Sequence, residues 1–73
     1  MPAKRHSWVV CVRNEGYEVS LERRKIYEVI PDAGAETHNQ LGVIDESGED
    51  YLFPASYFAV IELPAAVRRA LAA

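Results

Sequence analysis

The fold of this chain is decided by residues 40 to 53, which read Gln40-Leu41-Gly42-Val43-Ile44-Asp45-Glu46-Ser47-Gly48-Glu49-Asp50-Tyr51-Leu52-Phe53. Two apolar runs of strand length, Gln40 to Ile44 and Tyr51 to Phe53, enclose a polar segment at residues 45 to 48. Gly48, which ends that segment, can adopt the positive φ that a type I turn followed by a bulge requires. The stretch therefore predicts a β-hairpin with its turn at residues 45 to 48.

Three more apolar runs complete a set of five, and they span Ser7 to Val12, Lys25 to Ile30 and Phe58 to Leu63. All five are rich in the branched and aromatic residues that favour strands. The segment from Pro31 to Asn39, which holds a proline and a glycine, is predicted to be a loop. Five short strands predict a mainly β domain, and closing the sheet into a small barrel would remove its exposed edges.

The C-terminal residues follow a different pattern. Pro64 suits the first turn of a helix, and residues 65 to 73 are strong helix formers. Val67 and Leu71 are four residues apart and would share one face. A helix of this length is marginal alone, so we expect it to dock on its own domain or on a partner. The 73 residues then form a single domain, with a barrel over residues 7 to 63 and a helix over residues 64 to 73.

Several segments resemble parts of SH3-like barrels. Residues 21 to 29, Leu21-Glu22-Arg23-Arg24-Lys25-Ile26-Tyr27-Glu28-Val29, are similar to the Leu-x-x-Gly-x-x-Tyr-x-Val motif that leads into the second strand, with Arg24 at the place of the usual glycine. Residues 41 to 53 look like the distal hairpin of that fold. Residues 54 to 58 resemble its Pro-Ser-Asn-Tyr-Val segment, in which a short 3₁₀ turn leads into the final strand. The resemblance implies a five-stranded SH3-like barrel.

Residues 19 to 71 also resemble a family of small stand-alone bacterial proteins with a Val-Ile-Asp-Glu-Ser-Gly-Glu-Asp-Tyr-Leu-Tyr-Pro core, whose function is not established. This likeness implies a bacterial protein and supports fold more than function. Eukaryotic SH3 domains that bind proline-rich peptides carry an Ala-Leu-Tyr-Asp-Tyr stretch and a tryptophan after the second strand. Here only Pro54 and Tyr57 match that groove, so the resemblance does not predict a proline-rich ligand.

The distribution of charge disfavours nucleic acid as a partner. The net charge is −3, and no Lys or Arg lies between Pro31 and Glu62. Nucleic-acid binding depends on cations that neutralise phosphates, so an acidic middle would repel the backbone. The apolar run near the N-terminus is also shorter than a signal peptide or a membrane span requires. We therefore expect a cytoplasmic protein with no membrane partner.

No residue pattern points to catalysis. A hydrolytic site would need a nucleophile beside a histidine base. His6 lies near the terminus and His38 in a polar loop, while Cys11 lies in an apolar run and is predicted to be a small buried residue. The acidic turn at residues 45 to 50 lacks the alternating ligands of an EF-hand. We expect no enzyme, no cofactor and no metal site.

The aromatic residues are the remaining candidates for a binding site. Phe58 and Leu52 are predicted to lie in the core. The others either fill and cap the barrel or form a shallow aromatic groove that accepts a basic partner, and its carboxylates would include Glu62. The candidate binding residues of that groove are Pro54, Tyr57, Tyr51, Tyr17, Glu49 and Asp50.

These observations predict a non-catalytic module that binds a protein or peptide, with a basic partner favoured, through one face of the barrel, as a monomer or weak homodimer. The first alternative is a nucleic-acid-associated small barrel whose basic edge would be Lys4, Arg5, Arg13, Arg23, Arg24 and Lys25. The second alternative is a self-associating structural protein that uses the apolar side of the C-terminal helix.

Overall fold

The computed structural model describes residues 7 to 72, so Lys4, Arg5 and His6 lie outside the described residues. It contains five strands, β1 (Ser7–Cys11), β2 (Ile26–Ile30), β3 (Gln40–Ile44), β4 (Asp50–Pro54) and β5 (Phe58–Ile61). It also contains the helices α1 (Ala33–Glu36) and α2 (Ala65–Ala72) and a 3₁₀ turn, Ala55–Tyr57. The mainly β class, the five strands and the short C-terminal helix are therefore confirmed. Within the described residues, no helix is long and apolar enough to cross a membrane.

The five strands form one antiparallel sheet in the order β4-β3-β2-β1-β5. Its two edge strands, β4 and β5, follow each other in the chain and are joined only by the 3₁₀ turn. The sheet must therefore curl until its two edges approach each other at that turn. In the described residues, β4 and β5 do not pair, so the sheet is not closed and barrel closure is not confirmed.

The 3₁₀ turn is tied to strands on both sides of the sheet. The Tyr57 carbonyl accepts hydrogen bonds from the amides of Val12, at 2.8 Å, and Arg13, at 3.3 Å. The Ala55 amide donates to the Asn39 carbonyl at 2.9 Å. These bonds anchor the end of β1 and the start of β3 to the same turn, which holds the sheet in its curled form.

One face of the sheet, the inner face, encloses the core. The buried cluster consists of Val9, Cys11, Leu21, Tyr27, Val29, Val43 and Phe53. Phe58 is half-buried and packs against this cluster. Leu52, in contrast, is exposed, and its predicted core position is wrong. Because side chains alternate along a strand, Phe53 points inward and Leu52 outward, although both are apolar.

The hairpin turn at residues 45 to 48 is confirmed. Gly48 has φ +86°, and its amide donates to the Asp45 carbonyl at 3.0 Å. The Asp45 carboxylate accepts from the Ser47 amide at 2.8 Å and from the Ser47 hydroxyl at 2.5 Å. The Asp45 carboxylate therefore finds hydrogen-bond partners within its own turn. This is why the residue can be buried between two strands.

The segment from residue 31 to residue 39 is not all loop, because it contains α1. The Asp32 carboxylate accepts a hydrogen bond from the Ala35 amide at 3.1 Å, as an N-cap residue does. Ala35 is buried on the inner side of this single turn. Asn39 then has φ +58° and turns the chain into β3. The helix is four residues long, too short for its periodicity to be visible in the sequence.

Candidate functional site

Two tyrosines that are 40 residues apart in the chain meet at one end of the sheet. The rings of Tyr17 and Tyr57 pack edge to face with centroids 5.9 Å apart. Tyr17 makes a second edge-to-face contact, at 5.2 Å, with the buried ring of Phe53. Tyr17 is 38% exposed and Tyr57 is half-buried, so both rings combine a packed edge with an accessible one. We call Tyr17, Tyr57 and the adjoining Pro54 the aromatic surface.

The aromatic surface is held by the backbone on both sides. Tyr17 lies in a tight turn in which its amide donates to the Asn14 carbonyl at 2.8 Å. Tyr57 ends the 3₁₀ turn that begins after Pro54, a residue that favours such a start by fixing its own φ. The Tyr57 hydroxyl donates to the Glu15 carbonyl at 2.8 Å and so joins the two turns. These bonds fix the positions of Tyr17 and Tyr57 relative to each other.

An ion pair between Arg13 and Glu15 lies next to the Tyr57 ring. The Arg13 guanidinium lies 5.4 Å from the centre of the Tyr57 ring, within the range of a cation–π contact. Arg13 Nε also lies 3.1 Å from Glu15 Oε1, in an exposed ion pair. Hydrogen bonding to its own backbone amide, and then to Arg13, lowers the pKa of the Glu15 carboxyl. The Glu15 carboxylate is therefore charged at neutral pH and offsets the charge of Arg13.

The other predicted binding residues lie apart from the aromatic surface. The Tyr51 hydroxyl donates to Glu49 Oε1 at 2.9 Å, and this bond raises the pKa of Tyr51. Asp50 pairs with Ile44 across the sheet, four residues before Pro54 along β4. Strand geometry places such residues about 13 Å apart. Glu62 also lies apart from Tyr57, because Tyr57 precedes the first residue of β5 and Glu62 follows the last. The structure thus brings Tyr17, Tyr57 and Pro54 to one end, and places Tyr51, Glu49 and Asp50 towards the hairpin.

A partly buried polar network around Tyr27 was not predicted from the sequence. The Tyr27 hydroxyl accepts from the Glu22 amide at 2.7 Å and donates to Glu46 Oε2 at 2.5 Å. Lys25 Nζ lies 2.6 Å from the same Glu46 oxygen. Burial, and then the bond to Glu46, raise the pKa of Tyr27. Tyr27 belongs to the motif at residues 21 to 29. The carboxylate that accepts its hydrogen bond, Glu46, lies 19 residues away in the sequence, so only the fold brings the two side chains together.

A pocket of about 340 Å³ lies at the start of β1 and the end of β5, next to α2. Its walls are Ser7, Trp8, Val60, Ile61, Glu62, Leu63 and Arg68. Trp8, predicted in the first strand, is buried here and points away from the core cluster. The lining combines one indole with one carboxylate and one guanidinium. The pocket also marks a gap between α2 and the sheet.

The residues that were considered for catalysis, Cys11 and His38, lie in different parts of the fold. Cys11 is fully buried in the core, and burial raises the pKa of its thiol. Its prediction as a small buried residue is confirmed. His38 is exposed after α1, where its amide donates to the Ala35 carbonyl at 2.9 Å. No group of three or more His, Cys, Asp or Glu residues among those described is placed to hold a metal ion.

Comparison of the chain with protein-family models, with curated proteins and with solved structures found no match.

Proposed function

We propose that this protein is a non-catalytic binding module of the SH3-like type, which recognises another protein or a peptide through the aromatic surface. The single observation that carries the proposal is the contact between the half-exposed rings of Tyr17 and Tyr57 above buried Phe53. We keep the cytoplasm as its proposed compartment, on the sequence pattern alone.

Three backbone features support the SH3-like part of the proposal. Arg24, at the place of the motif's glycine, has φ +71°, a conformation that glycine adopts most easily. The 3₁₀ turn lies at Ala55–Tyr57 and leads directly into the last strand. The edge strands β4 and β5 approach each other at that turn, as a barrel-like curl requires. Each feature falls on a segment that resembles the family.

The aromatic surface has the properties of a docking site. Tyrosine offers a large apolar ring and a polar tip, and it loses little side-chain entropy on binding. The rings of Tyr17 and Tyr57 are already held by the hydrogen bond from Tyr57 to Glu15 and by the packing on Phe53. A partner would therefore bind a surface that needs little ordering, which favours affinity.

A basic partner fits the electrostatics of the chain. The net charge is −3, and the ion pair with Glu15 offsets the only cation that contacts Tyr57 among the described residues. Long-range attraction would favour partners that carry Lys or Arg.

The proposal of a non-catalytic role is supported by the state of Cys11. Its thiol is enclosed in the core, and burial raises its pKa, so the reactive thiolate is disfavoured.

Nucleic-acid binding is the second candidate, since Arg13, Arg23, Arg24 and Lys25 lie near the end of β1 and the start of β2. Two of these four cations already pair with carboxylates, Arg13 with Glu15 and Lys25 with Glu46. Each such pair must open before its cation can neutralise a phosphate. This supports a protein partner over a nucleic acid, and salt-dependent retention on immobilised nucleic acid would reverse the preference.

The test is selection of a displayed random peptide library against the full chain, followed by titration of the selected peptides. We expect Lys- or Arg-bearing peptides, and we expect Tyr57→Ala and Tyr17→Ala each to weaken binding about 5- to 30-fold, as truncation of an interface aromatic does.

Tyr51→Ala is the matched control, because Tyr51 is also an exposed tyrosine bonded to a neighbouring residue but lies towards the hairpin. Tyr57→Phe keeps the ring and removes only the bond to Glu15, so it separates ring contact from loop anchoring. Thermal melts of each variant show whether the fold persists. Equal losses from Tyr51→Ala and Tyr57→Ala, or full binding by folded Tyr57→Ala, would contradict the proposal.

A further inference from the structure

The pocket beside α2 is bordered by two opposite charges that do not pair. The Glu62 carboxylate and the Arg68 guanidinium both line it. Neither forms an ion pair or a side-chain hydrogen bond with another residue in the described part of the chain. Two opposite charges that share a pocket of about 340 Å³ without contact leave space for a small group between them.

The indole of Trp8 adds a hydrogen-bond donor to the same pocket. Trp8 is 8% exposed, and its N–H donates no hydrogen bond to any described residue. No side-chain nitrogen or oxygen from residue 7 to residue 72 is both enclosed and unbonded, so this N–H reaches accessible space. The pocket is the space that Trp8 borders. A buried indole normally has an acceptor for its N–H, and a ligand in the pocket can supply one.

The fold explains why these three groups meet. Trp8 lies on the outer face of the sheet, the side opposite the core, and pairs there with Ile61, one residue before Glu62. Pro64 follows, and α2 begins directly after it. The Arg68 amide donates to the Pro64 carbonyl at 3.0 Å, so Arg68 lies one helical turn beyond the proline. The end of β5 and the first turn of α2 therefore bring a donor, an acid and a base to one place.

The rest of the lining is mostly aliphatic. Val60, Ile61 and Leu63 contribute the apolar walls, and the volume lies at the small end of the range for ligand pockets. A fitting ligand therefore carries one positive group for Glu62, one negative group for Arg68 and the indole N–H, and a short aliphatic part. An α-amino acid combines all three in one small molecule.

We propose that this pocket binds a free α-amino acid with an aliphatic side chain. Its ammonium group would contact Glu62, and its carboxylate would accept hydrogen bonds from Arg68 and from the Trp8 N–H. A free amino acid carries both charges on one carbon, whereas each end of a peptide carries only one of them. The pocket lies beyond the end of β5, and Tyr57 lies before its start, so this proposal stands independently of the proposed function.

The test uses Trp8 as the reporter, because it is the sole tryptophan of the chain and lines the pocket. The full chain is titrated with L-leucine from about 10 μM to about 10 mM, a range that suits a ligand of so few atoms. Tryptophan fluorescence and the single indole N–H signal in a heteronuclear NMR spectrum are followed together. We expect both to change saturably with the same dissociation constant.

Three further compounds separate the parts of the ligand. L-leucinamide lacks the carboxylate and isocaproic acid lacks the ammonium group, so each should bind at least about tenfold more weakly after losing a charge-assisted contact. Glycine keeps both charges and should also bind more weakly, because it cannot contact the aliphatic walls. If leucinamide or isocaproic acid bound as tightly as leucine, the pocket would take a peptide terminus instead, and the proposal would be overturned.

Substitutions at exposed positions test the roles of the two charges. Arg68→Gln and Glu62→Gln should each weaken leucine binding at least about tenfold. Arg69→Gln is the control for the first, because Arg69 is the next residue of α2 and does not line the pocket. Glu18→Gln is the control for the second, because Glu18 is exposed in the connection between β1 and β2. Circular dichroism checks that each variant is folded. No saturable change in the Trp8 signals, or leucine binding that Arg68→Gln leaves unchanged, would overturn the proposal.

Discussion

Phe53 and Leu52 are neighbours in β4 and have similar hydrophobicity, yet Phe53 is 2% exposed and Leu52 is 47% exposed. Phe53 packs against the rings of Tyr17 and Phe58 and belongs to the core. Leu52 lies on the outer face, beside Gly42 and Ile30. The inner and outer faces of this sheet are therefore both apolar, and they differ in what covers them.

Apolar character alone therefore does not identify the inside of a small sheet. The inner face is closed by the curl of the sheet and by the connection that carries Tyr17 and Leu21. The outer face is open around Ile26 and Leu52, which are both exposed. Substitutions on the inner face should therefore lower the stability of the fold more than substitutions at the exposed outer positions.

The largest expected effect comes from Phe53→Ala. Removing a buried aromatic ring costs about 3–5 kcal/mol of unfolding free energy, which is much of what a small domain has. The control is Leu52→Ala, which should cost less than about 1 kcal/mol, as exposed substitutions do. Denaturant melts at low protein concentration measure both. Equal losses at the two positions would show that the inside and outside of β4 are wrongly assigned.

A smaller effect is expected from Tyr27→Phe, which tests the polar network of the inner face. The change keeps the ring but leaves the Glu22 amide and the Glu46 carboxylate without the Tyr27 hydroxyl. Loss of a partly buried hydrogen-bond partner costs about 1–3 kcal/mol. Tyr51→Phe is the matched control, because its hydroxyl bonds to Glu49 at an exposed position and should matter little. A melt of Tyr27→Phe that overlays the wild type would rule out a structural role for the network.

The smallest effect concerns pH. The bond from Lys25, followed by that from Tyr27, lowers the pKa of Glu46 below its ordinary value of 4.5. A carboxylate whose pKa is lower in the folded state stabilises the protein above that ordinary value, and the stabilisation disappears as the pH falls through the folded-state pKa. The difference in unfolding free energy between wild type and Glu46→Gln should therefore shrink below about pH 4. Chemical denaturation at several pH values measures it, and a constant difference would contradict the expectation.

Much of the secondary structure follows from local chemistry. The five apolar runs contain the five strands, Pro64 precedes α2, and the alanine-rich tail forms α2. The Asp45 turn was predictable because Gly48 and the Asp45 carboxylate act within a few residues. The helix α1 was missed because a single capped turn has no visible period and contains Gly34.

The candidate site was predictable only in part, for a related reason. Pro54 and Tyr57 belong to one short motif, so the sequence alone could relate them to each other. Tyr17 was named as a binding residue, but its contact with Tyr57 depends on two loops that meet through the Glu15 carbonyl. The placement of Arg13 over Tyr57 had no sequence signal at all.

The sequence by itself determined which segments form the five strands, the hairpin turn and the C-terminal helix, because these depend on backbone preferences that act over a few residues. Only the tertiary structure decided that Phe53 lies inside and Leu52 outside, and that Tyr17 joins Tyr57. The two-residue period of a strand separates its faces without identifying the inner one. That choice is made when the curl of the sheet and the docking of the Tyr17 connection close one face and leave the other open.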